Sequence, residues 1–305
     1  MKSPRIAVVG SLNMDLVISM DRMPEVGETV QGREMHTVPG GKGANQAAGC
    51  ARLGTDTVMI GAVGSDLFGK QLLDNMKKQG VQTEAIAVHD DTGTGIASIY
   101  HTREDNCIVI VPGANDRCTA EWVEKNRKLI EEADVMLTQL EIPLPAVERA
   151  LTLAREAGVV TVLNPAPARP LPAELLAKVD YLTPNETEFA LLAGTEAETE
   201  AELEAAMQSW QEKYGTRVIV TRGKDGCSFL NEEGRLATVP SLKVEVVDTT
   251  GAGDTLNAAF CCKLAAGSAI PEAVDYAVRA ASLSVTKFGA QQGLPTPEEI
   301  ERTYK

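Results

Sequence analysis

No two of the six cysteines, Cys50, Cys107, Cys118, Cys227, Cys261 and Cys262, have the C-x-x-C spacing of a zinc or redox site. Cys261 and Cys262 are adjacent on a predicted helix, and all six read as free thiols in a reducing compartment. The three histidines, His36, His89 and His101, share no motif and no metal-ligand spacing. No G-x-S-x-G segment is present, which removes the usual support for a serine hydrolase. Basic residues are outnumbered, 29 Lys and Arg against 43 Asp and Glu, for a formal net charge of −14. So acidic a surface is ill suited to replacing counterions along a nucleic-acid backbone, and no nucleic-acid partner is expected. The start of the chain lacks the apolar core of a signal peptide, and no later run is long enough to cross a bilayer. The expectation is a cytoplasmic protein with no membrane contact. Internal repeats and low-complexity tracts are also missing.

The acidity does not exclude a nucleotide. Backbone N–H groups, a helix start and a metal ion can together hold a phosphate. The length of 305 residues suits one large domain, or a domain with an appendage, and is ample for a core.

Residues 6–10 form an apolar run that ends at Gly10, the pattern of a buried strand entering a loop. Further strands are predicted at 57–63, 135–137, 159–163, 181–183 and 217–221. Helices are predicted at 43–53, 71–79, 145–156, 186–192 and 198–213, several of them stopped by a glycine. A turn at 223–226 leads into a hairpin through 231–234. Strands alternating with helices indicate an α/β fold with a mostly parallel sheet. Two stretches, 14–39 and 93–112, break the alternation with short strand-like pieces, among them 16–18, 30–32, 96–100 and 107–111. Asp105-Asn106 between the last two is a hairpin signal. Four such strands suit a small separate sheet that acts as a lid.

Three segments carry chemistry. In Asp248-Thr249-Thr250-Gly251-Ala252-Gly253-Asp254, a strand predicted at 244–247 precedes a small-residue turn, and a helix at 255–264 follows it. Backbone N–H groups of such a turn can converge on an anion. Asp254 there reads either as a catalytic base beside an anion hole or as a helix cap. Gly40-Gly41-Lys42-Gly43-Ala44-Asn45 also opens a helix. Lys42 and Asn45 offer donors for sugar hydroxyls, and the alternative is a flexible turn. The segment lacks the third glycine of a dinucleotide fingerprint, which leaves an oxidoreductase without its motif. In Pro184-Asn185-Glu186-Thr187-Glu188, Asn185 and Glu188 either orient phosphate and hydrated Mg²⁺ or form a capping box. The run Gly64-Ser65-Asp66-Leu67-Phe68-Gly69-Lys70-Gln71 nearly spells a phosphate-binding loop. Gln71 replaces its Ser/Thr and Asp66 would repel phosphate, so it is rejected.

Taken in order, seven segments resemble the ribokinase family, the PfkB-type carbohydrate kinases. They are Gly10 with the five residues after it, Gly40 to Asn45, Gln139-Leu140-Glu141, Asn164-Pro165-Ala166-Pro167-Ala168, the Pro184 segment, the Asp248 segment, and Val285-Thr286-Lys287-Phe288-Gly289-Ala290-Gln291. The resemblance covers nearly the whole chain, 1–305, and implies one three-layer αβα domain with a β-sheet lid. It implies homodimerisation through the lids, and phosphorylation of the ribose 5-hydroxyl by ATP with Mg²⁺. A kinase of 2-deoxyribose, another sugar or a nucleoside is the neighbouring possibility, and a non-catalytic sensor on the same scaffold is a more distant one.

By the same resemblance, Asp254 would be the base, with Gly251, Ala252 and Gly253 as the anion hole. Asn13, Met14, Asp15, Gly41, Lys42, Gly43, Asn45 and Glu141 would bind the sugar. Asn185, Thr221, Arg222, Gly223, Gly226, Gly253 and Val278 would contact ATP, and Glu188 would be linked to Mg²⁺. A monovalent cation, usually K⁺, would sit among Asp248, Thr250, Ser284, Lys287, Gly289 and Gly293, mostly on backbone carbonyls. Gly293 stands where a serine is usual, and Leu256 where phenylalanine is usual.

Overall fold

The computed structural model describes residues 3–102 and 106–304. Its strands, in chain order, are β1 Arg5–Val9, β2 Asn13–Ser19, β3 Glu34–Gly40, β4 Asp56–Gly64, β5 Ile86–His89, β6 Gly95–His101 and β7 Asn106–Val111. Then follow β8 Val135–Thr138, β9 Val160–Leu163, β10 Tyr181–Leu182, β11 Arg217–Thr221, β12 Cys227–Leu230 and β13 Leu236–Val239. Nine of them form one sheet in the order β13-β12-β11-β10-β9-β8-β1-β4-β5. Pairing is parallel from β5 to β11 and antiparallel at β12 and β13.

Strand β1 shows why the predicted strands read as unbroken apolar runs. Its residues point alternately to two faces, and both faces are covered. Ile6 and Val8 pack with Ala44, Ala47, Leu72 and Ala258. Ala7 and Val9 pack with Val123, Ala150, Leu151 and Met207 on the other side. The two buried layers make the expected three-layer domain. Among the described residues no helix is long and apolar enough to cross a membrane.

The remaining strands form a separate four-stranded sheet, β3-β2-β6-β7, with β2 and β6 parallel and the outer pairs antiparallel. One pair of strands comes from each of the two stretches that break the alternation. The hairpin signal falls partly at Asp105, outside the described residues, and Asn106 opens β7. Met35, Ile108, Val109, Ile110 and Val111 of this sheet are exposed.

Two expected strands are displaced. Residues 30–32 are not a strand; β3 starts at Glu34 and pairs with β2 from Ser19 back to Asn13. Residues 244–247 have strand-like composition but no neighbouring strand. That segment runs along a helix end instead: Leu242 N donates to Ser282 Oγ at 3.1 Å and Val247 N to the Val285 carbonyl at 2.8 Å. Val246 and Val247 are left exposed. The helix expected at 71–79 begins four residues earlier, as Leu67–Lys78, because Asp66 caps it by accepting from Gly69 N at 2.8 Å. The near phosphate-loop sequence is therefore a capped helix start.

Candidate active site

Between β1 and β8 the chain order of the sheet reverses: it runs outward to β4 and β5 on one side, and through β9, β10 and β11 on the other. Open α/β sheets bind ligands at the carboxyl ends of their strands at such a switch point. A cavity of about 530 Å³ bordered by Arg155, Asp180, Tyr181 and Arg217 lies at the opposite end, where β9, β10 and β11 begin, and so is a poor candidate. At the carboxyl ends, Ser11 follows β1 and Glu141 follows β8. Ser11 Oγ donates to Glu141 Oε2 at 2.6 Å, and Lys42 N donates to the same oxygen at 3.0 Å. Glu141 Oε1 lies 3.9 Å from Lys42 Nζ.

The Gly40 segment is not a flexible turn. The helix Lys42–Arg52 starts within it, directly against the 10–13 connection. A Cβ on Gly43 would come within 2.5 Å of Ser11 N, so only glycine allows this approach. The docked helix turns Asn45 and Gln46 inward, and both are buried. Asn45 Nδ2 donates to Asp254 Oδ2 at 2.9 Å, and Gln46 Nε2 donates to Asp254 Oδ1 at 2.9 Å.

Asp254 lies in the first turn of the helix Ala252–Ala265, behind its N-cap, Gly251. Gly251 takes φ 77°, a left-handed conformation, with Ala290 packed against it. The Asp254 carboxylate does not cap its helix; it turns toward Asn45 and Gln46. Burial pushes it above the usual carboxylate range, while Lys42 and the two amides pull it back. Ala252 N is engaged by the Thr249 carbonyl at 3.2 Å. Among the described residues the N–H groups of Gly251 and Gly253 meet no acceptor. A Cβ on Gly253 would meet nothing within 4 Å, so this side of the turn is open to a ligand.

Asp15, Glu141 and Asp254 are neighbours, with Lys42 as their common cation. Burial, then Glu141 and Asp254, push Asp15 up to about 7, and Lys42 offsets part of this. Burial would lower the Lys42 ammonium, but Asp254, Glu141, Glu188 and Asp15 together hold it above its ordinary value. The arrangement is an acidic pocket that can accept several hydroxyl hydrogens and donate from one ammonium. Asn13, which opens β2, receives Asn115 Nδ2 on its Oδ1 at 2.7 Å. Met14 is in the apolar core and offers the pocket no open side chain.

The expected nucleotide residues collect on the neighbouring rim. Asn185 caps the helix Glu186–Ala193 in a full capping box: Glu188 N donates to Asn185 Oδ1, and Asn185 N to Glu188 Oε2, both at 2.8 Å. The sequence left a capping box and a metal-linked role open, and the cap is present. One Glu188 oxygen remains outside it. Burial raises the Glu188 carboxyl above its ordinary value, against the Asn185 N–H and Lys42. Thr221 bridges to Asn185, and the turn Gly223–Asp225 follows, closed by Arg222 N donating to the Gly226 carbonyl at 2.8 Å. The Arg222 guanidinium is turned to Glu186 and Glu200. Val278 is buried in the apolar cluster with Leu256 and Phe260, not at the cleft surface.

Five of the expected cation-site residues converge. Asp248 accepts from Thr250 N at 2.9 Å and from Gly289 N at 2.8 Å. Burial alone would raise the Asp248 carboxyl; these N–H groups hold it below its ordinary value. Gly293 N donates to the Gly289 carbonyl at 2.9 Å, and a Cβ on Gly293 would come within 2.5 Å of the Ser284 carbonyl. Lys287 directs its ammonium to Glu299, 3.2 Å away, leaving only its backbone for the site.

Several functional residues were not singled out in the sequence: Ser11, Gln46, Asn115, Gln139 and Gln291. Ser11, Gln139 and Gln291 lie inside the quoted segments, Gln46 lies one residue past the Gly40 segment, and Asn115 lies in none of them. A side-chain amide has no spacing rule, so nothing in the sequence separated Gln46 from an ordinary helix residue.

The family described as pfkB family carbohydrate kinase matches residues 3–297. The ribokinase of Bacillus subtilis is 44% identical over 296 residues, covering 97% of this chain and 98% of that protein. The deoxyribokinase of Salmonella typhimurium is 33% identical over 297 residues, covering 97% of each. The structure of Arabidopsis thaliana ribokinase complexed with ribose and ATP superimposes with a TM-score of 0.93 at 32% identity, covering 100% of this chain and 99% of that one.

Proposed function

This chain belongs to the pfkB family of carbohydrate kinases, and we propose that it transfers the γ-phosphoryl group of ATP to the 5-hydroxyl of D-ribose. The observation that carries this reading is the buried Asp254 carboxylate, held by two amides, beside the open N–H groups of Gly251 and Gly253. Asp254 accepts the proton of the 5-hydroxyl as its oxygen attacks the γ-phosphorus. The bond to the β-phosphate oxygen breaks and ADP leaves. Gly251 and Gly253, at the positive end of the helix, take up charge on the moving group. Ala252 contributes through its helical position, since its own N–H is already engaged.

Asn13, Lys42 and Asn45 donate to the sugar, and Asp15 and Glu141 accept from it. The backbone of Gly41, Gly43 and Met14 completes the wall, with the Met14 side chain left in the core. Asn185, Thr221, Arg222, Gly223 and Gly226 form the nucleotide rim, and Val278 supports it from the core. Mg²⁺, when bound with ATP, neutralises phosphate charge, and the outer oxygen of Glu188 suits a hydrated ion. Asp248, Thr250, Ser284, Lys287, Gly289 and Gly293 would hold a monovalent cation such as K⁺, whose charge would stiffen the loop beside the anion hole.

The small sheet, whose strands come from the stretches 14–39 and 93–112, acts as a lid and excludes water that would otherwise accept the phosphoryl group. Its exposed Ile108, Val109, Ile110 and Val111 support pairing of two lids in a homodimer. The proposal puts the enzyme in the cytoplasm, where its six free thiols would persist. The similarity to a deoxyribokinase keeps 2-deoxyribose as the competing acceptor. A coupled assay with ribose, 2-deoxyribose, fructose and adenosine, with and without K⁺, tests the reading. Fastest turnover with ribose is expected, and no turnover of ribose overturns it.

A further inference from the structure

Behind Asp254 lie two chains of side-chain amides from separate parts of the fold. Gln139, after β8, donates from Nε2 to Gln46 Oε1 at 2.6 Å, and Gln46 donates from Nε2 to Asp254 Oδ1 at 2.9 Å. Asn75 donates from Nδ2 to Gln291 Oε1 at 2.6 Å, Gln291 from Nε2 to Asn45 Oδ1 at 3.0 Å, and Asn45 from Nδ2 to Asp254 Oδ2 at 2.9 Å. In both chains every N–H end points toward the carboxylate. The amide dipoles are therefore aligned to favour negative charge on Asp254, and each link polarises the next.

The two chains differ in one respect. Asn45 borders the sugar pocket, so its amide is shared with substrate under the proposed function. Gln46 and Gln139 are both 0% exposed and out of substrate reach. Gln46 uses its second N–H on Asn164 Oδ1 at 3.2 Å, so all its polar atoms are committed. Gln139 leaves its Oε1 without a partner among the described residues, while its amide nitrogen serves Gln46. A buried, unpaired acceptor is costly, and Gln139 bears it while its amide nitrogen holds Gln46.

We propose that Gln46, held by Gln139, is a positioning residue that fixes the orientation and the ionised state of Asp254, leaving one Oδ2 lone pair to receive the hydroxyl proton. The proposal rests on Asp254 being the base. The charged groups around Asp254 are Lys42 on the first helix, Asp15 on β2 and Glu141 after β8, with Glu188 acting on Lys42 from the nucleotide rim. None of them is removed by changing Gln46 or Gln139.

The test uses the full chain with ribose, ATP and Mg²⁺, in the variants Gln46→Met, Gln139→Met and Asp254→Asn. Losing a donor to the charged form disfavours that form, so the acid limb of the kcat–pH profile moves upward by roughly one pH unit in Gln46→Met. Its kcat falls by about 10–100-fold while the ATP KM stays within about threefold. Gln139→Met, which loosens the clamp at one remove, shifts the limb the same way by less. It decides the matter alone if Gln46→Met does not fold. An acid limb at the wild-type position in the folded variants overturns the proposal, because a purely structural role would lower activity without moving it. Asp254→Asn separates the two readings. If it is inactive while the glutamine variants keep the wild-type profile, only the clamp is wrong; if it stays active, the base assignment itself fails.

Discussion

The Ser11 hydroxyl reaches across the switch point of the sheet and donates to Glu141 Oε2 at 2.6 Å. One residue follows β1 and the other follows β8, so a single bond ties the two halves of the pocket. It also commits Glu141 Oε2 and leaves Oε1 for the sugar and for Lys42. Ser11→Ala removes a hydrogen bond to a charged group, about 1.5–3 kcal/mol in general. The expected outcome is a rise of about tenfold or more in the ribose KM, with the ATP KM nearly unchanged, measured by steady-state kinetics. An unchanged ribose KM would show that Glu141 does not touch the sugar.

Asp15 gives a pH dependence of stability. Its carboxyl is pushed up to about 7 in the folded chain against 3.8 as the ordinary value. Between these values the folded state holds a proton that the unfolded state has released. Stability from this group therefore falls as pH rises from about 4 to 7. Thermal unfolding of the ligand-free protein tests it: Asp15→Asn should raise Tm more at pH 8 than at pH 5. Equal shifts at both pH values contradict the assignment.

Gly293 admits the Ser284 carbonyl to a place a side chain would fill. Gly293→Ala and Gly293→Ser should each lose about 1–3 kcal/mol through the clash. That corresponds to a fall of a few degrees in Tm. Only the serine adds an oxygen, beside the Ser284 and Gly289 carbonyls. Under the proposed cation site, Gly293→Ser should be activated more strongly by K⁺ than Gly293→Ala. Identical K⁺ responses of the two variants argue against a side-chain ligand at this position.

The exposed strand β7 predicts an association. Wild-type protein should sediment as a dimer, and Ile108→Asp with Ile110→Asp should sediment as a monomer. These changes place charge on an exposed apolar strand and leave the large sheet's core untouched. A monomeric wild type contradicts the lid-to-lid reading.

Much of the molecule was legible in its sequence because the signals were local. Two-faced burial wrote β1, β4, β8 and β9 as apolar runs, and the small-residue turn at Gly251–Gly253 announced a helix start. Residues 244–247 misled because alternation reports strand-like side chains, not the presence of a partner strand; here the partner is the end of a helix. Residues 30–32 misled for a similar reason, since the register of β3 is set by its pairing with β2. Gln46 and Gln139 were invisible because their role depends on partners 93 or more positions apart. The ambiguity at Asp254 was also of this kind. Whether an aspartate near a helix start caps the helix or faces a pocket depends on where its carboxylate turns. Asn45 and Gln46, about 200 residues upstream, settle that.

The central claim is that Asp254 is the base for ribose phosphorylation, and it is tested most directly by Asp254→Asn. The measurement pairs kcat, from a coupled ADP-release assay, with the ribose Kd of the same protein, from calorimetry. The account predicts a loss of about 10²–10⁴ or more in kcat with ribose still bound within about tenfold of wild type. A variant that keeps kcat within a few-fold of wild type would contradict it.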